Sequence, residues 1–175
     1  MRDPGTPKLS WDRDYTGEKL ITLEQLLDTF GNTLTYHIEL KKQMAGLPEA
    51  VVSAIQARGL ANHVYLFSIQ DEAGLKRAKQ LEPRLRIAGA PEQLLRDDPR
   101  GAVERCAANG FSMITLNSTN QSREIVDYAH SLGLEARSYG ISSPEKMIAA
   151  AELGCNGMTI NWPDWLMEYV RTVEA

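Results

Sequence analysis

The run Tyr36-His37-Ile38-Glu39-Leu40-Lys41 sets an imidazole, a carboxylate and an ammonium group at every second position of a stretch that reads as a short strand. Side chains on a strand alternate faces, so His37, Glu39 and Lys41 share one side while Tyr36, Ile38 and Leu40 share the other. The apolar side suits packing under helices. The polar side is hard to assign to a core, because a parallel strand buried on both faces is apolar throughout and isolated buried charges are costly. At the carboxyl end of such a strand a carboxylate suits a hard divalent cation and a lysine suits a phosphate oxygen. A solvated Glu39 and Lys41 pair at an ordinary strand end would leave the same pattern, and the residues alone leave both readings open.

Other polar residues are weighed against the same strand end. His37, deeper than Glu39, reads as an interior hydrogen-bonding histidine and a candidate to line the site rather than a catalytic group. His63 at a strand entrance and His130 near a helix end, where a cation suits the dipole, have no neighbouring serine, cysteine or acid in a triad arrangement and read as structural. Ser68, Tyr139 and Asn161 end three other strands and are candidates to line the same mouth as Glu39. Trp162-Pro163-Asp164-Trp165 suits a cover over the sheet or barrel end better than a site wall. No Gly-rich phosphate loop, HExxH helix or GxSxG elbow occurs. Cys106 and Cys155 lack metal-ligand spacing and read as structural thiols.

The elements that would position these residues follow from pattern. With 43% hydrophobic and 24% charged residues in 175, the chain can bury one sizeable core. A net charge of -4 gives no electrostatic reason to expect a nucleic acid or an anionic membrane surface, so any bound anion needs a local site. The start, Met1 to Pro7, has no apolar segment of a leader, and no stretch approaches the run of about 18 apolar residues that a membrane span needs, which gives a cytoplasmic expectation. Residues 1–19 read as a polar arm and residues 20–175 as the α/β domain. Thr22-Leu23-Glu24-Gln25 fits a capping box. Strands are expected at Leu34–Leu40, Val64–Ser68, Leu85–Ala88, Met113–Leu116, Leu134–Tyr139 and Met158–Ile160. Between them Pro48, Pro99, Pro144 and Pro163 mark helix starts, and Gly59, Gly110, Gly133 and Gly154 mark stops. Strand-helix units of this kind imply a parallel sheet, either open and doubly wound or an incomplete barrel of about six of the usual eight units.

Several segments together resemble the glycerophosphodiester phosphodiesterase family, whose fold is a TIM-type barrel. Gly17-Glu18-Lys19-Leu20-Ile21-Thr22-Leu23-Glu24 is similar to the family's G-x-K-I-P-T-L-E, and His37-Ile38-Glu39-Leu40-Lys41 to its N-I-E-I-K. Leu66-Phe67-Ser68-Ile69 resembles V-S-S-F, Ala129-His130-Ser131-Leu132-Gly133-Leu134 resembles A-H-x-x-G-L, and Leu153 to Asp164 resembles L-G-V-D-G-I-I-T-D-Y-P-D. The likeness runs from about Gly17 to Leu166. It implies an incomplete (β/α) barrel and hydrolysis of glycerophosphodiesters, in lipid metabolism, to an alcohol and glycerol 3-phosphate. It also implies a divalent cation, Mg2+ or Ca2+, with Glu39 as a metal ligand and Lys41 beside the substrate phosphate. The family's H-R-G and H-D motifs have no match, since none of His37, His63 and His130 is followed by Arg-Gly or Asp; Tyr139-Gly140-Ile141-Ser142 stands where the family has W-T-V-N. The resemblance therefore predicts the C-terminal portion of such an enzyme, weak or inactive alone, with self-association through an open barrel edge. The alternative expectation is a non-catalytic module derived from the family that binds phosphate esters or another partner.

Overall fold

Thr22 opens the first element as its capping box requires. Its hydroxyl accepts from Gln25 N at 3.2 Å, and its own N–H donates to Gln25 Oε1 at 2.9 Å. The helix α1 (Leu23–Phe30) then buries Leu27 and stops at Gly31, whose φ of 52° is open to a residue without a Cβ. The structure, a computed structural model, describes residues 16–41, 43–90 and 92–173; up to residue 15, the arm expected over residues 1–19 lies outside them.

Past α1 the chain repeats strand and helix. β1 (Tyr36–Glu39) leads to α2 (Leu47–Gln56), and β2 (Val64–Phe67) to α3 (Glu72–Leu81). β3 (Arg86–Ala88) is followed by two helices, α4 (Glu92–Asp97) and α5 (Pro99–Ala108). β4 (Met113–Asn117), α6 (Arg123–Ser131), β5 (Glu135–Tyr139), α7 (Pro144–Glu152), β6 (Gly157–Met158) and α8 (Pro163–Val173) complete the described chain. The proline and serine signals act where expected: Pro99 and Pro144 are first helical residues, and Ser143 caps α7 by accepting from Lys146 N. Most of the strands are shorter than the apolar pattern suggested, β1 by the most, and β1 and β6 each pair on one side only among the described residues.

All five strand pairings are parallel and the spatial order is β1-β2-β3-β4-β5-β6, so chain neighbours are always sheet neighbours. A doubly wound sheet would reverse its order at a switch point; a barrel does not. The two faces confirm the difference. Outward residues such as Leu66, Ile87 and Ile114 are fully buried in one core with helical residues including Val52, Ile55 and Val103, while inward Tyr65, Ala88 and Met113 form a separate cluster. The sheet is also strongly curled. His37 on β1 and Arg137 on β5 are four strands apart, about 19 Å in a flat sheet, yet Arg137 Nη1 and His37 Nε2 are 3.5 Å apart. The chain is thus an incomplete TIM-type barrel with its helices outside.

One buried carboxylate ties the helical layer to a strand entrance. Glu82, 4% exposed, accepts from Arg84 N, Nε and Nη2 and from Gln56 Nε2, joining the end of α2 to the turn that leads into β3. The hydrogen bonds from the Arg84 side chain hold its carboxyl far below the usual range, at about 2 against 4.5. A depressed carboxyl stabilises the fold above the unfolded value, and that stabilisation is lost as pH falls from about 4.5 through about 2. Glu82→Gln is expected to lower stability by about 1 to 3 kcal/mol at neutral pH. Urea unfolding across pH 2 to 6 checks it: the variant should show a shallower loss on acidification than the parent.

Candidate active site

Leu40 fixes the strand end that carries the acid and the base. Its side chain is 2% exposed under the helices, and its N–H donates to Phe67 O at 2.9 Å. Ser68 Oγ donates to Leu40 O at 2.7 Å and accepts from Asp71 N at 2.9 Å and Gln70 N at 3.2 Å. Asp71 in turn caps α3 by accepting from Gly74 N. With Leu40 pinned outward, Glu39 and Lys41 face the concave side, where Lys41 Nζ and Glu39 Oε2 are 2.5 Å apart. Glu39 is mostly covered while Lys41 is 76% exposed. A pair this open contributes little to folding, so its place at the mouth is not explained by stability.

The concave side holds a cavity of about 220 Å³. Of the residues expected to line the mouth, Glu39, Lys41, His37 and Tyr139 border it. Ser68 does not: it stands one residue beyond β2 on the outward phase, where it is 3% exposed and anchors the Leu40 carbonyl. Asn161 does not border it either, being exposed past the end of β6. Thr159 occupies the inward place on that segment instead. His63 and His130 lie away from the cavity, and His130 Nε2 sits 2.9 Å from Asn156 Oδ1 near the end of α6. Trp162 stacks on Trp165 in a small core with Ile141 and Met147, between α7 and α8. Cys106 donates to Gly89 O, and burial pushes its thiol up to about 12, as fits a structural role.

Among the cavity residues not legible in the sequence are Thr115 and Arg137. They are register partners on β4 and β5. The Arg137 guanidinium donates from Nε to Thr159 Oγ1 at 3.3 Å and from Nη2 to Met158 O at 2.8 Å. It fits because Gly157 opposite has no side chain; a Cβ there would stand 2.9 Å from Nη1. Burial lowers the pKa of Arg137 from its ordinary value, though a guanidinium stays charged. The signal was present: Glu135, Arg137 and Tyr139 alternate along β5 as His37, Glu39 and Lys41 do along β1.

Beneath the cavity the interior is polar and its charged groups pair with one another, although the buried Arg86 Nε has no hydrogen-bond partner among the described residues. Tyr65 Oη meets both Glu135 carboxylate oxygens at 2.8 Å and accepts from Arg86 Nη1 at 2.8 Å, while Arg86 stacks over the Tyr65 ring at 3.9 Å. His37 stacks on the ring's other contact surface with centroids 4.8 Å apart. Burial first, then the charges of Arg137 and Arg86, hold His37 neutral down to about 4. Burial and the Glu135 carboxylate raise Tyr65. Among the described residues no group of three carboxylate, histidine or cysteine side chains converges, so Glu39 alone does not make a cation cage. Removing the phenol oxygen should expose the dependence of this layer on a single hydroxyl. Tyr65→Phe leaves Glu135 and Arg86 each short of a partner and is expected to cost about 1 to 3 kcal/mol, read as a lower midpoint in chemical unfolding with the far-ultraviolet spectrum retained.

No family model matches the chain. In sequence it is similar to a glycerophosphodiester phosphodiesterase of Bacillus subtilis (strain 168), 26% identical over 162 residues, 86% of this chain and 54% of the relative. The chain thus spans about half the length of that curated relative. In structure it is similar to a glycerophosphodiester phosphodiesterase from Parabacteroides distasonis, with TM-score 0.79 and 18% identity over 92% of this chain and 68% of that one. It is also similar to an Oleispira antarctica phosphodiesterase solved in complex with the product sn-glycerol-3-phosphate, with TM-score 0.63 and 15% identity over 86% and 61% of the two chains. The likeness read from the motifs is therefore met again in a sequence relative and in the fold of solved structures.

Proposed function

We propose that this chain is part of a phosphoric diester hydrolase of the glycerophosphodiester phosphodiesterase type, which converts a glycerophosphodiester to an alcohol and glycerol 3-phosphate. The observation that carries the reading is the Glu39 and Lys41 pair, set at the carboxyl end of a barrel strand and opening on the cavity. Lys41 is placed to meet a phosphate oxygen as a mobile point charge. Glu39 offers one carboxylate toward a divalent cation, Mg2+ or Ca2+, which would neutralise phosphate charge when bound. One carboxylate is not a site, and a cation held by Glu39 would need further oxygen ligands beside it. The glycerol phosphate bound by the Oleispira antarctica relative supports the same substrate class. A cytoplasmic setting in lipid metabolism and self-association along the β1 or β6 edge belong to this reading. Among the described residues no helix is long and apolar enough to cross a membrane.

A second reading, a phosphate-ester-binding module without turnover, is favoured by one observation. The only histidine at the cavity, His37, is held neutral down to about 4 and is packed flat against Tyr65, a poor state for handing a proton to a leaving group near neutral pH. Coupled detection of glycerol 3-phosphate released from glycerophosphocholine, with Mg2+ and Ca2+ tested separately, decides between them. The hydrolase reading expects slow cation-dependent release that disappears in Glu39→Ala. Release unaffected by Glu39→Ala would overturn it. No release at all, with glycerol 3-phosphate binding that is lost in Lys41→Ala, selects the binding module.

A further inference from the structure

Arg137 is a half-buried cation whose hydrogen bonds all go to neutral groups. Its partners among the described residues are Thr159 Oγ1, the Met158 carbonyl and the His37 ring nitrogen, and no carboxylate is among them. A charge withdrawn from water without a counter-ion is costly, so its retention on the concave face calls for an explanation. A guanidinium carries five N–H groups; these three contacts use three, and two remain. Beside it, Thr115 is 5% exposed, borders the same cavity, and its Oγ1 has no hydrogen-bond partner among the described residues. Two adjacent donor groups with unused hydrogen-bonding capacity among the described residues thus border one cavity, and the Lys41 ammonium stands at its mouth beside the Glu39 carboxylate. The cavity has room for about seven waters at the liquid's volume per molecule, enough for a phosphate group carrying a small alcohol.

We propose that Arg137 and Thr115 are the inner anchor for an anionic phosphate ester, whose oxygens take the open guanidinium N–H groups and the Thr115 hydroxyl while Lys41 closes on them from the mouth. This rests on reading the cavity as a phosphate-ester site and adds the residues that hold the anion from within. A bidentate guanidinium fixes the orientation of a phosphate, which a lysine on a flexible stem does not. The competing account makes Arg137 only a clamp between β5 and the segment after β6. The two accounts differ at Thr115. An unpartnered buried hydroxyl destabilises the empty protein, so Thr115→Val should raise the melting temperature while weakening anion binding. A purely structural threonine would not move the two readouts in opposite directions.

The test is a calorimetric titration of the full chain with inorganic phosphate and with glycerol 3-phosphate in EDTA, where neither turnover nor a cation contributes. Saturable binding is expected, weakened at least tenfold in Arg137→Met and several-fold in Thr115→Val, with part of the affinity retained in Arg137→Lys. The Arg137 Nε resonance should shift as phosphate is added. Absence of binding to the parent chain overturns the proposal, as does parent-like affinity in both Arg137→Met and Thr115→Val. If that parent-like affinity is accompanied by loss of binding in Lys41→Ala, the cavity remains a phosphate-ester site and only the inner anchor is wrong. Failure of hydrolysis, by contrast, leaves this result untouched.

Discussion

The fold depends on how charges on the concave face of a parallel sheet find one another. A barrel interior is ordinarily filled by layers of branched apolar side chains. Here the inward positions carry His37, Tyr65, Arg86, Glu135 and Arg137, each of which would be expensive to desolvate alone. On a flat sheet β1, β2 and β5 could not exchange contacts. Curling the strands lets Tyr65 reach Glu135 from three strands away and Arg137 reach His37 from four. Curvature and internal neutralisation therefore support each other, while the apolar outward face supplies the bulk of the burial against the helices.

Satisfaction of these polar groups is graded along the barrel axis. At the amino ends of the strands, Glu135, Tyr65 and Arg86 bond to one another. Toward the carboxyl ends, where barrels place their chemistry, the same alternation brings up Arg137 without a carboxylate, Thr115 Oγ1 without a partner among the described residues, and the exposed Lys41 paired with Glu39. The lower layer can be read as structure because its opposite charges meet through the Tyr65 hydroxyl, even with Arg86 Nε left without a partner among the described residues. The upper layer cannot, and the excess is in donors. An excess of donors around a cavity gives it a preference for anions, which a net charge of -4 over the whole chain would otherwise discourage.

What could be seen from the sequence was what depends on neighbours along the chain. The capping box at Thr22, the proline starts of α5 and α7 and the shared face of His37, Glu39 and Lys41 are all set within a few residues, and all are present. The choice between an open sheet and a barrel was not visible, because it rests on strand order and on every helix lying on one face, both long-range facts. Ser68 shows how fine the margin is. Taken as the last residue of its strand it seemed to face the mouth, but Phe67 has that side, and one position reverses the face. Arg137 was missed for a different reason. An arginine inside a strand carries no site signal by itself, and the alternation of Glu135, Arg137 and Tyr139 gains meaning only beside that of His37, Glu39 and Lys41, on a strand about 100 residues away.

Arg137 also links the site to one edge of the described sheet. β6 is only two residues long and pairs on one side among the described residues, and the guanidinium reaches across the side-chain-free Gly157 to hold the Met158 carbonyl and the Thr159 hydroxyl. A strand so short leaves few exposed backbone groups to template pairing with other chains, but it also has few ladder bonds of its own. One arginine thus steadies the edge and still turns open donors toward the cavity. A side chain selected for the edge alone could be neutral, since a carbonyl and a hydroxyl need no charge. A side chain selected for an anion alone would have no reason to spend two of its donors on the backbone and threonine of β6. That Arg137 does both means the edge and the cavity are held in register by the same group, and a shift of β6 would move the cation that faces the ligand.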